Sequence, residues 1–264
     1  MLGARKTLTL VFSIITLFLA AYGVYGALHS PLFWIQVVEV NDQPEDAPLD
    51  AQEVVQLASV PVGNLSLVDL NLPLIEKRLL QNPWVAEARL TKRFPQTLAI
   101  SLNYRQPRAL IQGRGGKLRY VDSGGEVFGE VSLKAQPDLP VLFGISERAE
   151  SSDSESATVA DALRILDYFA KPDLVAVSQI SSLSWSPEEG FRAWVTYPYR
   201  AGGGDVTKTA RAVVHLGQRI DDEGDAQFER LKKVFDYLAR HPVPARQIYA
   251  EASKKIVVKT ARGS

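Results

Sequence analysis

The sequence predicts an α+β protein in which one membrane-spanning helix is followed by two folded domains. Three observations predict this class. Residues 7–28 contain no charged side chain, about 75 residues in the order β-α-α-β-β follow, and the remainder is rich in strands with two amphipathic helices. The chain has 264 residues, no Cys and a formal net charge of zero. It therefore has room for two domains and no disulfides or Cys-ligated metals, and its net charge does not point to nucleic acid.

The uncharged run is predicted to be an uncleaved transmembrane helix over 7–28. As a helix it would be roughly 33 Å long, enough for a hydrocarbon core of about 30 Å. A cleaved signal peptide is the alternative, but its apolar core is usually only about 7–15 residues long. Arg5 and Lys6 precede the run, and the next Lys or Arg is Lys77. The positive-inside rule therefore predicts a cytoplasmic tail over 1–6 and export of everything after the helix.

The first exported domain is predicted from strand-like runs and helix caps. Asp50 followed by Glu53 forms a capping-box pattern, and Asn71 is positioned to cap a second helix before Pro73. Alternating apolar residues at the end of the domain predict a half-buried strand. Both helices must bury their apolar stripes on one face of a three-stranded sheet. The predicted strands are Phe33–Val40, Val85–Lys92 and Thr97–Tyr104.

The stretches "VGNLSLVDL" and "NPWVAEARLTKRFPQTLAISLNYRQPRAL" resemble the POTRA domain of the FtsQ/DivIB cell-division proteins. The pattern includes Arg105, Pro107 and Ala109, and its structural motif is Pro83, Trp84, Phe94 and Pro95. Two positions depart from the family. Asn41-Asp42 stand where a Gly usually follows the first strand, and Tyr104 stands where an acidic residue is usual. These departures concern a turn and a surface charge. The resemblance therefore implies a POTRA domain over 32–105.

The rest of the chain is predicted to be β-rich, with an antiparallel sheet and two amphipathic helices. Strand-like segments alternate with turn signals. The helices are predicted in "TVADALRILDYFAK" and "AQFERLKKVFDYLAR" from their apolar spacing. Ser146–Ser156 and Ala201–Asp205 are predicted to be loops. The order of elements resembles the second domain of the same family, which implies a domain over 106–260 and a short tail over 261–264.

Patterns that could carry catalysis or bind a ligand are few. "GRGGK" (Gly113–Lys117) lacks the spacing of a phosphate loop and favours a hairpin turn. "DDEGD" (Asp221–Asp225) lacks calcium-loop spacing and favours a solvated loop. His29, His215 and His241 accompany no catalytic motif. We expect neither enzymatic activity nor a bound cofactor, metal ion or small-molecule substrate.

The terminal strand is the sharpest candidate for binding. From the residues alone it is either an edge strand guarded by lysines against aggregation or a template to which a partner adds a strand. The resemblance implies the second reading, with an FtsB-type protein, joined to an FtsL-type protein, binding the strand over Lys255–Thr260 and the helix over Gln227–Arg240. The chain has Tyr249-Ala250-Glu251-Ala252 where many family members have Asp-Leu-Arg-Tyr. The predicted partner-binding residues are Ala252, Lys255, Ile256, Val257, Val258, Lys259 and Thr260.

Taken together, the resemblance implies a non-catalytic scaffold of the inner membrane. Its domains would lie in the periplasm at the division septum, bind other division proteins and help control septal peptidoglycan synthesis. Recruitment would use an exposed strand edge of the POTRA domain, for which Thr97–Asn103 is one candidate. The alternative is a POTRA-type periplasmic chaperone or transport module for outer-membrane substrates. Such proteins usually carry several POTRA units and a β-barrel, and this chain carries one unit and one apolar helix.

Overall fold

The computed structural model divides the chain into two compact units, residues 1–105 and 106–264. Each unit is described by itself. The predicted loops Ser146–Ser156 and Ala201–Asp205 lie outside the described residues. The structure describes residues 2–113, 116–132, 137–145, 158–175, 178–200, 207–218, 224–242, 244–251 and 255–260.

The first unit begins with helix α1 (Leu2–Leu28). Its segment Val11–Leu28 has a mean hydropathy of 1.9 and is not buried by the rest of the protein. By length and composition this helix can cross a membrane. A 3-10 turn over Pro31–Phe33 follows, and strand β1 (Val37–Asn41) begins only after it. The prediction of a strand from Phe33 was therefore wrong for its first half, since Pro31 favours a helical turn there.

The remainder of the first unit has the predicted β-α-α-β-β order. The three strands form one sheet in the order β1-β3-β2, with β1 parallel and β2 antiparallel to β3. Thr97–Asn103 lies in the central strand, so this candidate for an exposed edge was wrong. The two edges are β1 and β2. The elements after β1 are α2 (Ala51–Ala58), α3 (Leu72–Leu79), β2 (Val85–Arg93) and β3 (Thr97–Tyr104).

Both helices begin where their caps predict. The Asp50 side chain accepts a hydrogen bond from Glu53 N at 2.7 Å, and Glu53 Oε2 accepts one from Asp50 N at 2.9 Å. Asn71 Oδ1 accepts from Leu74 N at 3.2 Å. These bonds satisfy amides that have no partner within the helix. The apolar faces of both helices pack on the sheet in one core that includes Val54, Ala58, Ile75, Leu79, Leu98, Ile100 and Leu102.

The turn after β1 keeps the geometry that favours a glycine, although none is present. Asp42 has a φ of 54°, in the left-handed region. Asp tolerates this region better than most residues because its short polar side chain bonds locally. The departure from the family pattern at Asn41-Asp42 therefore leaves the left-handed turn in place.

The second unit is β-rich, with two long helices as predicted and one short one. The nine strands that the structure describes in this unit form one sheet in the order β12-β11-β10-β9-β8-β7-β4-β5-β6. The sheet is mixed, because three of its strand pairs run parallel: β10 with β11, β4 with β7, and β7 with β8. The elements are β4 (Pro107–Gln112), β5 (Leu118–Asp122), β6 (Val127–Phe128), β7 (Val141–Phe143), α4 (Val159–Ala170), α5 (Pro172–Val175), β8 (Gln179–Ser186), β9 (Gly190–Arg200), β10 (Thr207–Gly217), α6 (Gly224–Arg240), β11 (Ala245–Tyr249) and β12 (Val257–Thr260).

The two long helices share a core with one face of the sheet. Strands β9, β10 and β11 alternate, so that Val195, Val214 and Ile248 lie in this core with the helices. Their neighbours in sequence, such as Trp194, His215 and Tyr249, therefore occupy the opposite face. We call this second face the open face. The helix residues in the core are Val159, Ala162, Leu163, Ile165, Leu166 and Phe169 of α4 and Phe228, Leu231, Phe235 and Leu238 of α6.

Candidate functional site

The candidate site is the end of the large sheet formed by strand β12. This strand pairs antiparallel with β11, and no other described strand pairs with it. In an antiparallel pair, alternate residues direct their N–H and C=O groups away from the neighbouring strand. The outer side of β12 therefore presents backbone donors and acceptors to which another strand can bind.

The predicted partner-binding residues fall into three groups. Ala252 lies outside the described residues. Lys255 and Ile256 precede the strand, which begins two residues later than predicted. Val257, Val258, Lys259 and Thr260 form the strand itself.

The side chains of this terminal segment divide between the two faces of the sheet. Ile256 and Val258 are partly buried against the core of the second unit. Val257 lies opposite Tyr249 and Lys259 opposite Gln247, on the open face. Val257 is 56% exposed. The core therefore holds Ile256 and Val258, whereas Val257 contributes to the fold only through its cross-strand position opposite Tyr249.

Strand β11, which sequence reasoning missed, holds β12 in place. The buried hydroxyl of Tyr197 accepts a hydrogen bond from Ala245 N at 2.6 Å and donates one to Ala245 O at 3.1 Å. Burial raises the pKa of Tyr197 above its ordinary value, so the hydroxyl stays protonated and able to donate. Gln227 of α6 donates to the carbonyls of Leu216 and Ala250 at 3.1 and 2.8 Å, which ties the C-terminal ends of the parallel strands β10 and β11 to the helix.

An aromatic and cationic strip runs beside β12 on the open face. The rings of His215 and Tyr249 stack with centroids 4.5 Å apart. Lys259 Nζ lies 4.9 Å from the centre of the Tyr249 ring and donates to its hydroxyl at 3.2 Å. That hydroxyl donates in turn to Gln247 Oε1 at 2.9 Å. The strip is therefore ordered by its own contacts before any partner binds.

The same row of the sheet continues with polar atoms that lack partners. Ser184 pairs with Arg192 and Arg192 with His215 in the strand register. Ser184 Oγ, Arg192 Nε and His215 Nε2 are buried and have no hydrogen-bond partner among the described residues. Leaving such buried groups unpaired is costly. Sequence reasoning missed this row because its residues come from three separate strands.

The four residues of the POTRA motif lie in turns. Pro83 and Trp84 connect α3 to β2, where Trp84 is half-buried and its carbonyl accepts from Arg105 N at 2.8 Å. Phe94 and Pro95 form the β2–β3 turn and are joined by a cis peptide bond. Phe94 is 59% exposed. The motif therefore shapes both ends of β2.

The other patterns in the sequence lie at separate places in the described part of the chain. Gly113 N donates to Lys117 O at 2.8 Å and closes the β4–β5 turn, as the hairpin interpretation predicted. Asp221 to Glu223 lie outside the described residues, and Asp225 lies in α6. A hydrogen bond from Lys171 at 2.8 Å lowers the pKa of Asp225. Among the described residues, no group of three or more His, Asp or Glu side chains is placed to hold a metal ion.

These features define a class of protein, in which an apolar N-terminal helix precedes a POTRA domain and a β-rich domain ending in an edge strand. Family models identify both domains. The model "POTRA domain, FtsQ-type" matches residues 47–105, and "Cell division protein FtsQ/DivIB, C-terminal" matches residues 109–248. The chain belongs to the FtsQ/DivIB family of cell division proteins.

Individual relatives agree with this assignment. The cell division protein FtsQ of Syntrophotalea carbinolica is 25% identical over 236 residues, covering 89% of this chain and 76% of its own. That of Geotalea daltonii is 26% identical over 246 residues, covering 91% and 81%. That of Anaeromyxobacter sp. strain K is 31% identical over 178 residues, covering 66% and 60%. The similarity to the first two relatives spans both domains.

Proposed function

We propose that this chain is a non-catalytic scaffold of the cell-division machinery. It crosses the inner membrane once, with its N-terminus in the cytoplasm and both domains in the periplasm at the division septum. It binds FtsB- and FtsL-type membrane proteins there and so helps to control septal peptidoglycan synthesis. Membership of a cell-division family, the apolar helix α1 and the free edge of β12 support this function. The C-terminal family match favours it over the chaperone alternative.

The observation that carries the proposal is the open edge of β12. The outward backbone N–H and C=O groups of β12 can form hydrogen bonds with a partner strand. Most of the affinity in such complexes comes from these main-chain hydrogen bonds. Val257 supplies an exposed β-branched side chain at this edge, opposite Tyr249. A partner strand laid beside β12 would cover it.

The open face beside β12 extends the surface. Tyr249 and Lys259 offer an aromatic ring and a cation, and the buried atoms of Arg192 and His215 lack partners among the described residues. An acidic or hydrogen-bonding segment of the partner would complement Lys259 and Tyr249. The proposed interface therefore combines a strand at the edge with side-chain contacts on the adjoining face.

The POTRA domain is proposed to recruit other division proteins through a strand edge. Since β3 is central, the available edges are β1 and β2. Strand β2 is the longer, with nine residues, and its exposed side carries charges such as Glu87 and Arg89. Charge on an edge strand opposes indiscriminate pairing, so a partner at β2 must match these charges.

The direct test is Val257→Pro in the full chain, with binding measured to the periplasmic segment of an FtsB-type protein. Proline has no backbone N–H, so it removes one donor and disrupts the hydrogen bonds between β12 and an added strand. We expect binding at least about tenfold weaker, equivalent to about 1.4 kcal/mol. The matched control is Val257→Thr, which keeps the β-branch and the N–H and should change binding less than about twofold, because Thr is also a good strand former.

Hydrogen exchange separates loss of binding from loss of fold. The amides of β10 and β9 must stay protected in Val257→Pro, as these strands lie two and three strands inside the sheet from β12. Unchanged partner binding with these amides protected would contradict the edge-strand interface.

A further inference from the structure

The POTRA domain is held directly against the end of the apolar helix. The carbonyl of Leu28, the last residue of α1, accepts a hydrogen bond from Ser66 Oγ at 3.0 Å. His29 Nε2 lies 3.0 Å from Asp69 Oδ1, and the carbonyl of Phe33 accepts from Leu67 N at 2.7 Å. Ser66 is 4% exposed. These contacts leave no free linker between α1 and the domain, so the loop around Ser66 lies beside the point where the chain leaves the membrane.

The β2–β3 turn lies at the same place, although it is some sixty residues further along the chain. The carbonyl of Gln96 accepts hydrogen bonds from Gln36 N at 3.0 Å and Val37 N at 3.3 Å. The rings of Phe33 and Phe94 meet edge to face, with centroids 6.2 Å apart. The turn is therefore fixed to the segment that follows the helix.

This junction exposes apolar side chains. Leu32 is 61% and Phe94 59% exposed, and Phe33 lies between them and is half-buried. We call Leu32, Phe33 and Phe94 the exit patch. Leu32 is four residues past Leu28, so the two are at most about 14 Å apart. The polar layer outside the hydrocarbon core is about 5–8 Å thick on each side, so the exit patch begins within or next to it.

We propose that the exit patch is a membrane-docking surface, through which the β2–β3 turn inserts Phe94 into the outer polar layer of the same bilayer that α1 crosses. The inference rests on the single-span topology of the proposed function. The exit patch follows α1 directly in the chain, and for this reason we infer that lipid rather than a protein covers it. A protein covering Leu32 would also have to fit against the membrane surface.

The charges around the patch favour the same occupant. Lys92 lies two residues before Phe94 and donates to the neutral carbonyl of Val68 at 2.8 Å, so its positive charge remains available to anionic headgroups. The two acidic residues nearby are already paired. Glu39 bonds to Arg93 at 3.0 Å and Asp69 to His29 at 3.0 Å. The domain would thus be held by the helix and by a second contact, which fixes its orientation at the membrane.

The test uses the full chain, which has no Cys and so accepts single labels. Phe94→Cys, Leu32→Cys and Ala86→Cys are each labelled with a nitroxide and placed in nanodiscs of phosphatidylethanolamine and phosphatidylglycerol. Ala86 is exposed and lies on β2, the strand that leads into the turn. It is eight residues from Phe94 and therefore about 26 Å away along the strand. Collision of each label with a water-soluble nickel chelate and with lipid-soluble oxygen is measured by electron paramagnetic resonance.

We expect nickel collision at residues 94 and 32 to be several-fold lower than at residue 86, and oxygen collision to be higher. Equal nickel access at 94 and 86 would overturn the inference and leave the exit patch open to a protein partner. A label at Leu17→Cys, in the middle of α1, tests the topology separately. A lipid-exposed label at 17 with a water-exposed label at 94 refutes only the docking surface. A water-exposed label at 17 refutes the membrane anchoring and the docking surface together.

Discussion

Strands β2 and β12 each end a sheet, but they differ in what they contribute to the fold. Strand β2 pairs with β3 along its whole length and places Val85 and Ala88 in the core of the first unit, 2% and 7% exposed. Strand β12 has four residues, and none of its side chains is fully buried. Folding therefore dictates the sequence of β2 closely and that of β12 loosely. An edge strand of the second kind can be kept for binding at little cost to stability.

The largest expected effect comes from making the same substitution on the two strands. Val85→Ala removes a buried side chain and should destabilise the first unit by about 2 kcal/mol. Val257→Ala, on an exposed side chain, should change the stability of the second unit by less than about 0.5 kcal/mol. Denaturant-dependent hydrogen exchange reports each unit separately and checks both values. A loss at Val257 as large as that at Val85 would contradict the distinction between the two strands.

A smaller effect is expected where β12 depends on its neighbour. Tyr197→Phe removes the hydroxyl that bonds to both backbone groups of Ala245, a residue 1% exposed at the start of β11. Leaving those groups without partners should cost about 1.5 kcal/mol. Exchange should accelerate most in β11 and β12. Tyr199→Phe, whose hydroxyl lies on the same strand, is the matched control and should leave β11 exchange unchanged.

How far the sequence predicts this molecule depends on the range of the interactions. The caps at Asp50 and Asn71 and the hairpin turns act over a few residues, so local patterns predicted the starts of α2 and α3 and the turns. Strand β11 was missed because Arg246 and Gln247 interrupt its apolar residues, and its place in the sheet depends on Tyr197, 48 residues away. The central position of β3 likewise depends on β1 pairing beside it. For the candidate site, the sequence predicted the terminal strand but not the row of Ser184, Arg192 and His215.

An effect of about 1 kcal/mol is expected from the cap of α2. Asp50→Ala removes the acceptor for Glu53 N and should destabilise the first unit by that amount. Asp50→Asn keeps an acceptor and should restore most of the stability. Helix α2 belongs to the first unit, whereas β11 and β12 belong to the second. Hydrogen exchange in β11 and β12 should therefore not change. Faster exchange in β12 would mean that the edge strand depends on the first unit as well.

The smallest effect is a pH dependence at the junction of α1 with the POTRA domain. The pKa of His29 is raised, chiefly by the hydrogen bond that its Nδ1–H donates to the carbonyl of Tyr25 at 2.7 Å and further by Asp69. A raised pKa means that the junction is stabilised by the protonated ring. This stabilisation is fully present below the ordinary pKa of His, about 6.5, and is lost as the pH rises through the higher value of the folded protein.

Asp69→Asn separates the two causes. It removes the charge opposite His29 but leaves the Tyr25 carbonyl, so the pKa of His29 should fall only part of the way to its ordinary value. An NMR titration of the His29 ring protons in nanodiscs, in the parent chain and in Asp69→Asn, measures this. If Asp69→Asn leaves the pKa of His29 unchanged, the ion pair does not help to hold the POTRA domain against the helix, and Ser66 and Leu67 hold it without help from charge.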